Sequence, residues 1–185
     1  MPEFLIIDPW IPVQAPLTNG SDNRSAANLA AVMVQFDVVN AQRYSKRVLS
    51  GNDHTDTFCN IFVADVTAAL AAPIPHWWLK SEFDVDGMLH WCERYALAYG
   101  WRKVSEEEAR TAANAGQPAV AGWCRHVLPS GHVETGHIAM LLPTPAPSVF
   151  QRVAAAGARC LFDVPITASF GVDYKQHPMM YFIHP

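Results

Sequence analysis

A chain of 185 residues in which 50% of side chains are hydrophobic and 16% charged has the makeup of one globular domain with a sizeable core. A net charge of −4 and the lack of any dense Lys/Arg run argue against a nucleic-acid-binding module. No apolar run reaches the roughly 20 residues of a membrane span, and the opening stretch Met1–Pro9, acidic at Glu3 and Asp8 with no basic segment, does not read as a secretory signal peptide.

Pro2, Pro9, Pro12 and Pro16, followed by the polar run Thr18–Asn23, predict an extended N-terminal arm over residues 1–23 that ends at a helix cap. Leu29, Val32, Met33, Phe36 and Val39 recur at helical spacing and predict a first amphipathic helix from Ser25 to about Asn40. Residues 45–57 are polar and read as a loop. The next helix, Cys59 to Leu70, is apolar on most of its surface, so it is expected at the centre of the domain, ended by Pro73 and Pro75. An aromatic loop follows at His76-Trp77-Trp78.

A helix is predicted from Asp86 to Tyr99, closed by Gly100. A short one over Glu106–Ala115 is opened by a capping box of Ser105 and Glu108. The pattern then turns to strands: Ala119–Cys124, His137–Leu142, Val149 to about Ala154, and Met179–His184. Helices first and an antiparallel sheet second give an α+β class and a single domain over residues 1–185.

Cys59, Cys92, Cys124 and Cys160 lie far apart with no C-x-x-C pair, which reads as free thiols rather than a disulfide framework. Cys59 differs from the rest because it falls at a helix start, where unsatisfied N–H groups and the helix dipole favour a thiolate. A sulfur nucleophile needs an oriented base. The segment Gly131–Met140 supplies one in His137, expected at the mouth of a strand just after Gly136, facing the Cys59 helix. The backbone N–H of Cys59 would be one oxyanion donor.

With Arg43-Tyr44, Thr57–Val66 around Cys59, Ile74–Trp77 and Gly136–Met140, the chain resembles the NlpC-like branch of the papain-like cysteine peptidases and amidases, which cleave bacterial cell-wall peptides. The likeness spans about Asn28 to Phe170 and is nearest to signal-less amidase domains of phage lysis proteins and bacterial toxins. It implies a papain-like fold with the nucleophile helix packed on an antiparallel sheet, Cys59 as nucleophile, His137 as general base and Tyr44 lining the substrate site. In that family a third polar residue on the strand after the histidine orients it. Here the matching slot holds alanine, and Gln151 is the nearest polar substitute. Asn60 and Trp77 are further candidates for substrate contact, with helix bracing and core packing as their plainer roles.

The chemistry implied is thiolate attack on an amide carbonyl, a thioester acyl-enzyme and its hydrolysis, with no cofactor. The implied substrate is a peptidoglycan peptide, and an immunity or delivery protein is an implied partner. The implied site of action is the periplasm or cell wall, after synthesis in the cytoplasm. Acyl or amide transfer to a protein or lipid would use the same Cys–His pair, and two rival readings of other classes remain. One is a metal-dependent hydrolase, since Cys124, His126, His132, Glu134 and His137 crowd together with zinc-ligand chemistry, although in no standard spacing. The other is a non-catalytic module of the same fold that binds cell wall or a partner.

Overall fold

A computed structural model describes residues 23–48, 56–79, 81–144 and 148–185. The arm expected over 1–23, Asn23 aside, and the middle of the polar loop lie outside them. Helix α1 (Ala26–Gln35) starts where the Ser25 hydroxyl accepts the Asn28 amide hydrogen. It ends sooner than its periodicity suggests because Asp37 turns left-handed, at φ 42°. Helix α2 (Cys59–Ala69) is buried at every position except Asn60 and Ala68, so it is the central helix. Past its end, the Thr67 hydroxyl donates to the Val63 carbonyl and accepts from the Ile74 amide, which pins the exit turn.

The aromatic loop expected at 76–78 contains a short hairpin, β1 (Trp77–Trp78) with β2 (Ser81–Glu82). Helix α3 (Val85–Arg94) is capped by the Asp84 carboxylate on the Gly87 amide. It stops at Arg94, and the rest of the predicted helix is a 3-10 turn over 96–99, closed by Gly100 at φ 87°. After β3 (Arg102–Val104), helix α4 (Glu106–Asn114) opens with the predicted capping box: the Ser105 amide donates to the Glu108 carboxylate and the Glu108 amide to the Ser105 hydroxyl. The remaining elements are β4 (Ala119–Trp123), β5 (His126–Val127), β6 (Val133–Glu134), β7 (His137–Leu142), β8 (Arg152–Ala155), β9 (Leu161–Pro165), α5 (Ile166–Phe170) and β10 (Met180–Ile183).

The main sheet is antiparallel throughout, in the order β3-β10-β4-β7-β8-β9, so β10 inserts between two strands that precede it in the chain. Its interior strands read as apolar runs because both faces are covered. Along β7, Ile138, Met140 and Leu142 pack with α1, α2 and α3, whereas Ala139 and Leu141 pack with α4 and α5. Each fully buried side chain of this size contributes roughly 1.5–3 kcal/mol. The described residues thus form an α+β protein with five α-helices about an antiparallel sheet. None of the described helices is long and apolar enough to cross a membrane.

Candidate functional site

The approach to Cys59 is held from both sides. Arg47 and Asp56 exchange backbone hydrogen bonds of 3.2 and 2.9 Å, which close the base of the polar loop. The Arg47 guanidinium lies 4.0 Å from the centre of the Phe58 ring, fixing the residue before the cysteine. No side chain caps α2; its first residue is Cys59 itself. The amides of Ile138, Asn60 and Cys59 are directed at the sulfur and favour a thiolate, as expected of a helix start. Burial works against them and prevails: the thiol is pushed up to about 11. Cys59 is free, as are the other three cysteines.

His137 begins β7 and pairs with Trp123 across the sheet. By strand alternation its ring turns to the face carrying Ala139 and Leu141, where it packs 4.7 Å from the Phe170 ring. Its Nε2 lies 2.9 Å from the Ser169 hydroxyl oxygen, on the same short helix α5. Burial pushes the imidazole down to about 4. Both members of the proposed pair are therefore neutral near pH 7, and no hydrogen bond joins them among the described residues. The expectation that His137 faces the Cys59 helix is corrected: the thiol belongs to the core beneath one face of the sheet, and the imidazole turns to the other, against Phe170.

What links them is surface. A cleft of about 490 Å³ opens over Cys59, lined also by Thr57, Asn60, Phe83 and Gly136. A second, of about 260 Å³, opens over His137, Ser169 and Gly157. Thr57, Thr135 and Gly136 form the wall common to both. That wall is fixed by two contacts. The Trp123 indole N–H donates to the Thr135 carbonyl at 3.0 Å. Gly136 sits so close to α3 that a Cβ there would fall 2.5 Å from an Asp86 carboxylate oxygen and 3.2 Å from Val85. The same Asp86 oxygen accepts from the Arg125 amide at 2.8 Å.

The other expected site residues divide. Asn60 lines the Cys59 cleft, but its amide nitrogen is engaged with the Phe83 carbonyl at 2.8 Å, bracing the helix start against the segment before α3. Trp77 is half-buried on β1 and lines neither cleft, although Glu82, its partner on β2, lines the one at Cys59. Tyr44 is a correction. It is buried, lines neither cleft, stands edge-on to Phe62 at 5.2 Å, and donates its hydroxyl to Asp65 at 2.7 Å. The 3-10 turn over 42–44 brings Arg43 alongside it, with hydrogen bonds of 2.5 and 2.9 Å to the same carboxylate.

Gln151 is a second correction. Its side-chain nitrogen donates to the carbonyls of Leu142 at 2.6 Å and Arg152 at 2.8 Å, so it splices β7 to β8 at the end remote from His137. The contact to His137 comes from Ser169, which nothing in the sequence marks: α5 is five residues long, and neither it nor β9 has a periodic signature.

The metal reading also fails to assemble. His126 Nδ1 lies 2.9 Å from the Cys124 carbonyl and its Nε2 2.8 Å from His177 Nδ1. His132 faces Glu134 at 3.7 Å, and His137 faces Ser169. Among the described residues no three His, Cys, Asp or Glu side chains are grouped to hold an ion.

No protein-family model matches the chain, and no curated protein does. Fold and site together define an α+β protein with a free cysteine opening its central helix and a histidine opening an adjoining strand.

Proposed function

We propose that the chain is a papain-like cysteine hydrolase of the NlpC type, cutting amide bonds in peptidoglycan peptides. The observation that carries this reading is the seat of Cys59: the first residue of a buried helix, with three amides directed at its sulfur, in a cleft that shares a wall with that of the one histidine at the mouth of β7. In the reaction, the Cys59 Sγ–H gives its proton to His137 as sulfur bonds to the carbonyl carbon. The oxyanion is met by backbone N–H groups at the helix start. The C–N bond then breaks, and the imidazolium returns the proton to the leaving amine. Water, deprotonated by His137, hydrolyses the thioester and restores the thiol.

For that transfer the imidazole has to turn from the face of β7 that it shares with Phe170 to the face of the thiol, since no hydrogen bond joins the two among the described residues. The same observation favours a second reading, a module of this fold that binds cell wall or a partner and catalyses weakly or not at all. Under the first reading the site of action is the cell wall, and an immunity or delivery protein is a natural partner. Mass spectrometry of purified peptidoglycan after incubation separates the two. A new amine and carboxylate at one peptide bond, absent with Cys59→Ala, supports the hydrolase. Intact peptidoglycan, or equal cleavage by Cys59→Ala, overturns it.

A further inference from the structure

Two imidazoles that line neither cleft meet next to the wall the clefts share. His126 Nε2 lies 2.8 Å from His177 Nδ1, across 51 positions of the chain. We propose that this pair is an acid-operated latch on the shared wall: it stays closed while the two rings together hold at most one proton beyond the neutral pair, and it opens on the second. The inference does not depend on the hydrolase reading.

Hydrogen placement follows from a partner that can only accept. His126 Nδ1 lies 2.9 Å from the Cys124 carbonyl oxygen, so Nδ1 carries a hydrogen. In the neutral pair His126 Nε2 is therefore bare and takes the His177 Nδ1 hydrogen. A first added proton fits without breaking this bond: it goes to His177 Nε2, which faces an Asp173 carboxylate oxygen at 3.8 Å. A second has only His126 Nε2 left, where it would set one N–H against another across 2.8 Å. The charged groups nearby do not relieve that opposition. Glu134 stands opposite His126 on β6 but faces His132 at 3.7 Å. Lys175, between Asp173 and His177 in the chain, reaches Glu106 at 3.5 Å, and Arg125, next to His126, is exposed. Trp123 connects the pair to the wall. Its ring packs 4.6 Å from His177 and 5.7 Å from His126, while its N–H donates to the Thr135 carbonyl. The His177 side chain is only 6% exposed, so parting the two rings uncovers the indole that fixes Thr135.

Hydrogen exchange of the Trp123 indole N–H, followed by 1H–15N NMR of the full chain from about pH 8 to about pH 5, reads the latch. His177→Asn is the deciding variant. Its side-chain amide donates to a bare His126 Nε2 or, turned over, accepts from a protonated one, so the bond survives across the range. At the alkaline end the wild type and His177→Asn should exchange alike, and at the acid end the wild type should exchange roughly tenfold faster. His177→Phe, which keeps a ring over Trp123 but makes no bond, should be less protected than either already at the alkaline end. Long-range 1H–15N correlation of the imidazoles should place the His126 hydrogen on Nδ1 there. Equal exchange in the wild type and His177→Asn at the acid end, or a His126 hydrogen on Nε2 alone at the alkaline end, overturns the inference. Both of those readings use only the wild type and the conservative variant, so they decide the matter even where His177→Phe does not fold.

Discussion

Asp65→Asn is the most informative single change in the helix that carries Cys59. The Asp65 side chain has no exposed surface, and the Arg43 side chain is 25% exposed. The carboxylate takes two guanidinium hydrogen bonds, of 2.5 and 2.9 Å, and one phenol bond of 2.7 Å. An amide cannot accept all three, and its NH2 would face a donor. Losing one partner of a buried ion pair costs about 3–5 kcal/mol, which for a chain of this size lowers Tm by about 10 °C. Tyr44→Phe removes one bond to a charged acceptor and leaves the guanidinium in place, so its cost should be about 2 kcal/mol. In the double variant the two changes should not add, because the Tyr44 hydroxyl and Arg43 Nε share the same Asp65 oxygen. Urea denaturation followed by tryptophan fluorescence measures all three. If Asp65→Asn costs less than about 1 kcal/mol, or the two changes simply add, the network does not brace α2 as described. Tyr44→Phe also tests the placement of the phenol away from both clefts: under the proposed hydrolase reading KM for muropeptides should not move, whereas a residue lining the substrate would shift it.

Three further outcomes follow from the geometry. His137 stays neutral down to about 4, where an unfolded imidazole charges near 6.5, so its folded value is depressed. The stability it confers, about 3 kcal/mol, is then present above the unfolded value and lost as pH falls from there toward 4; the wild type should lose that much more than His137→Gln in urea titrations, and equal losses would refute it. Alkylation of Cys59 by iodoacetamide, followed by peptide mapping, should be slow at neutral pH and accelerate toward its value of about 11. A rate independent of pH between about 5 and 9 would instead reveal a standing thiolate–imidazolium pair. Gly136→Ala drives a methyl group against Asp86 and Val85, so it should destabilise by about 1–3 kcal/mol and impair peptide binding at the shared wall; unchanged stability and KM would show that α3 yields there.

Much of the fold was legible wherever burial imposed a period. Strand β7 was read over its full extent, His137–Leu142, because both faces of that strand are apolar. Helix α4 announced itself through Ser105 and Glu108. The misses are short and have local causes. Strand β3 is Arg-Lys-Val at a sheet edge, too polar and too brief to show alternation. Strands β1 and β2 are a two-residue hairpin within an aromatic stretch. The places of Cys59 at a helix start and His137 at a strand start were legible, but the face to which the imidazole turns was not, since it depends on where β7 enters the sheet. Substrate lining and packing both stayed open for Tyr44 because spacing cannot tell a phenol that faces a cleft from one that faces a buried carboxylate, and it faces the carboxylate. Ser169 could not be read at all, since its link to His137 spans 32 residues and depends on how α5 settles on the sheet.

The placement of β10 shapes how the molecule folds. Strands β3 and β4 are close in sequence, yet they leave a gap one strand wide between them, filled by Met180–Ile183. Until that segment docks, two rows of unsatisfied backbone donors and acceptors stay open in the middle of the sheet. Any other extended chain could pair with them. Closing the gap requires a long-range loop, so it is expected late and slowly in folding. The half-built sheet, rather than the clefts at Cys59 and His137, is where self-association during refolding should begin, and a peptide copying Met179–His184 should compete for the gap.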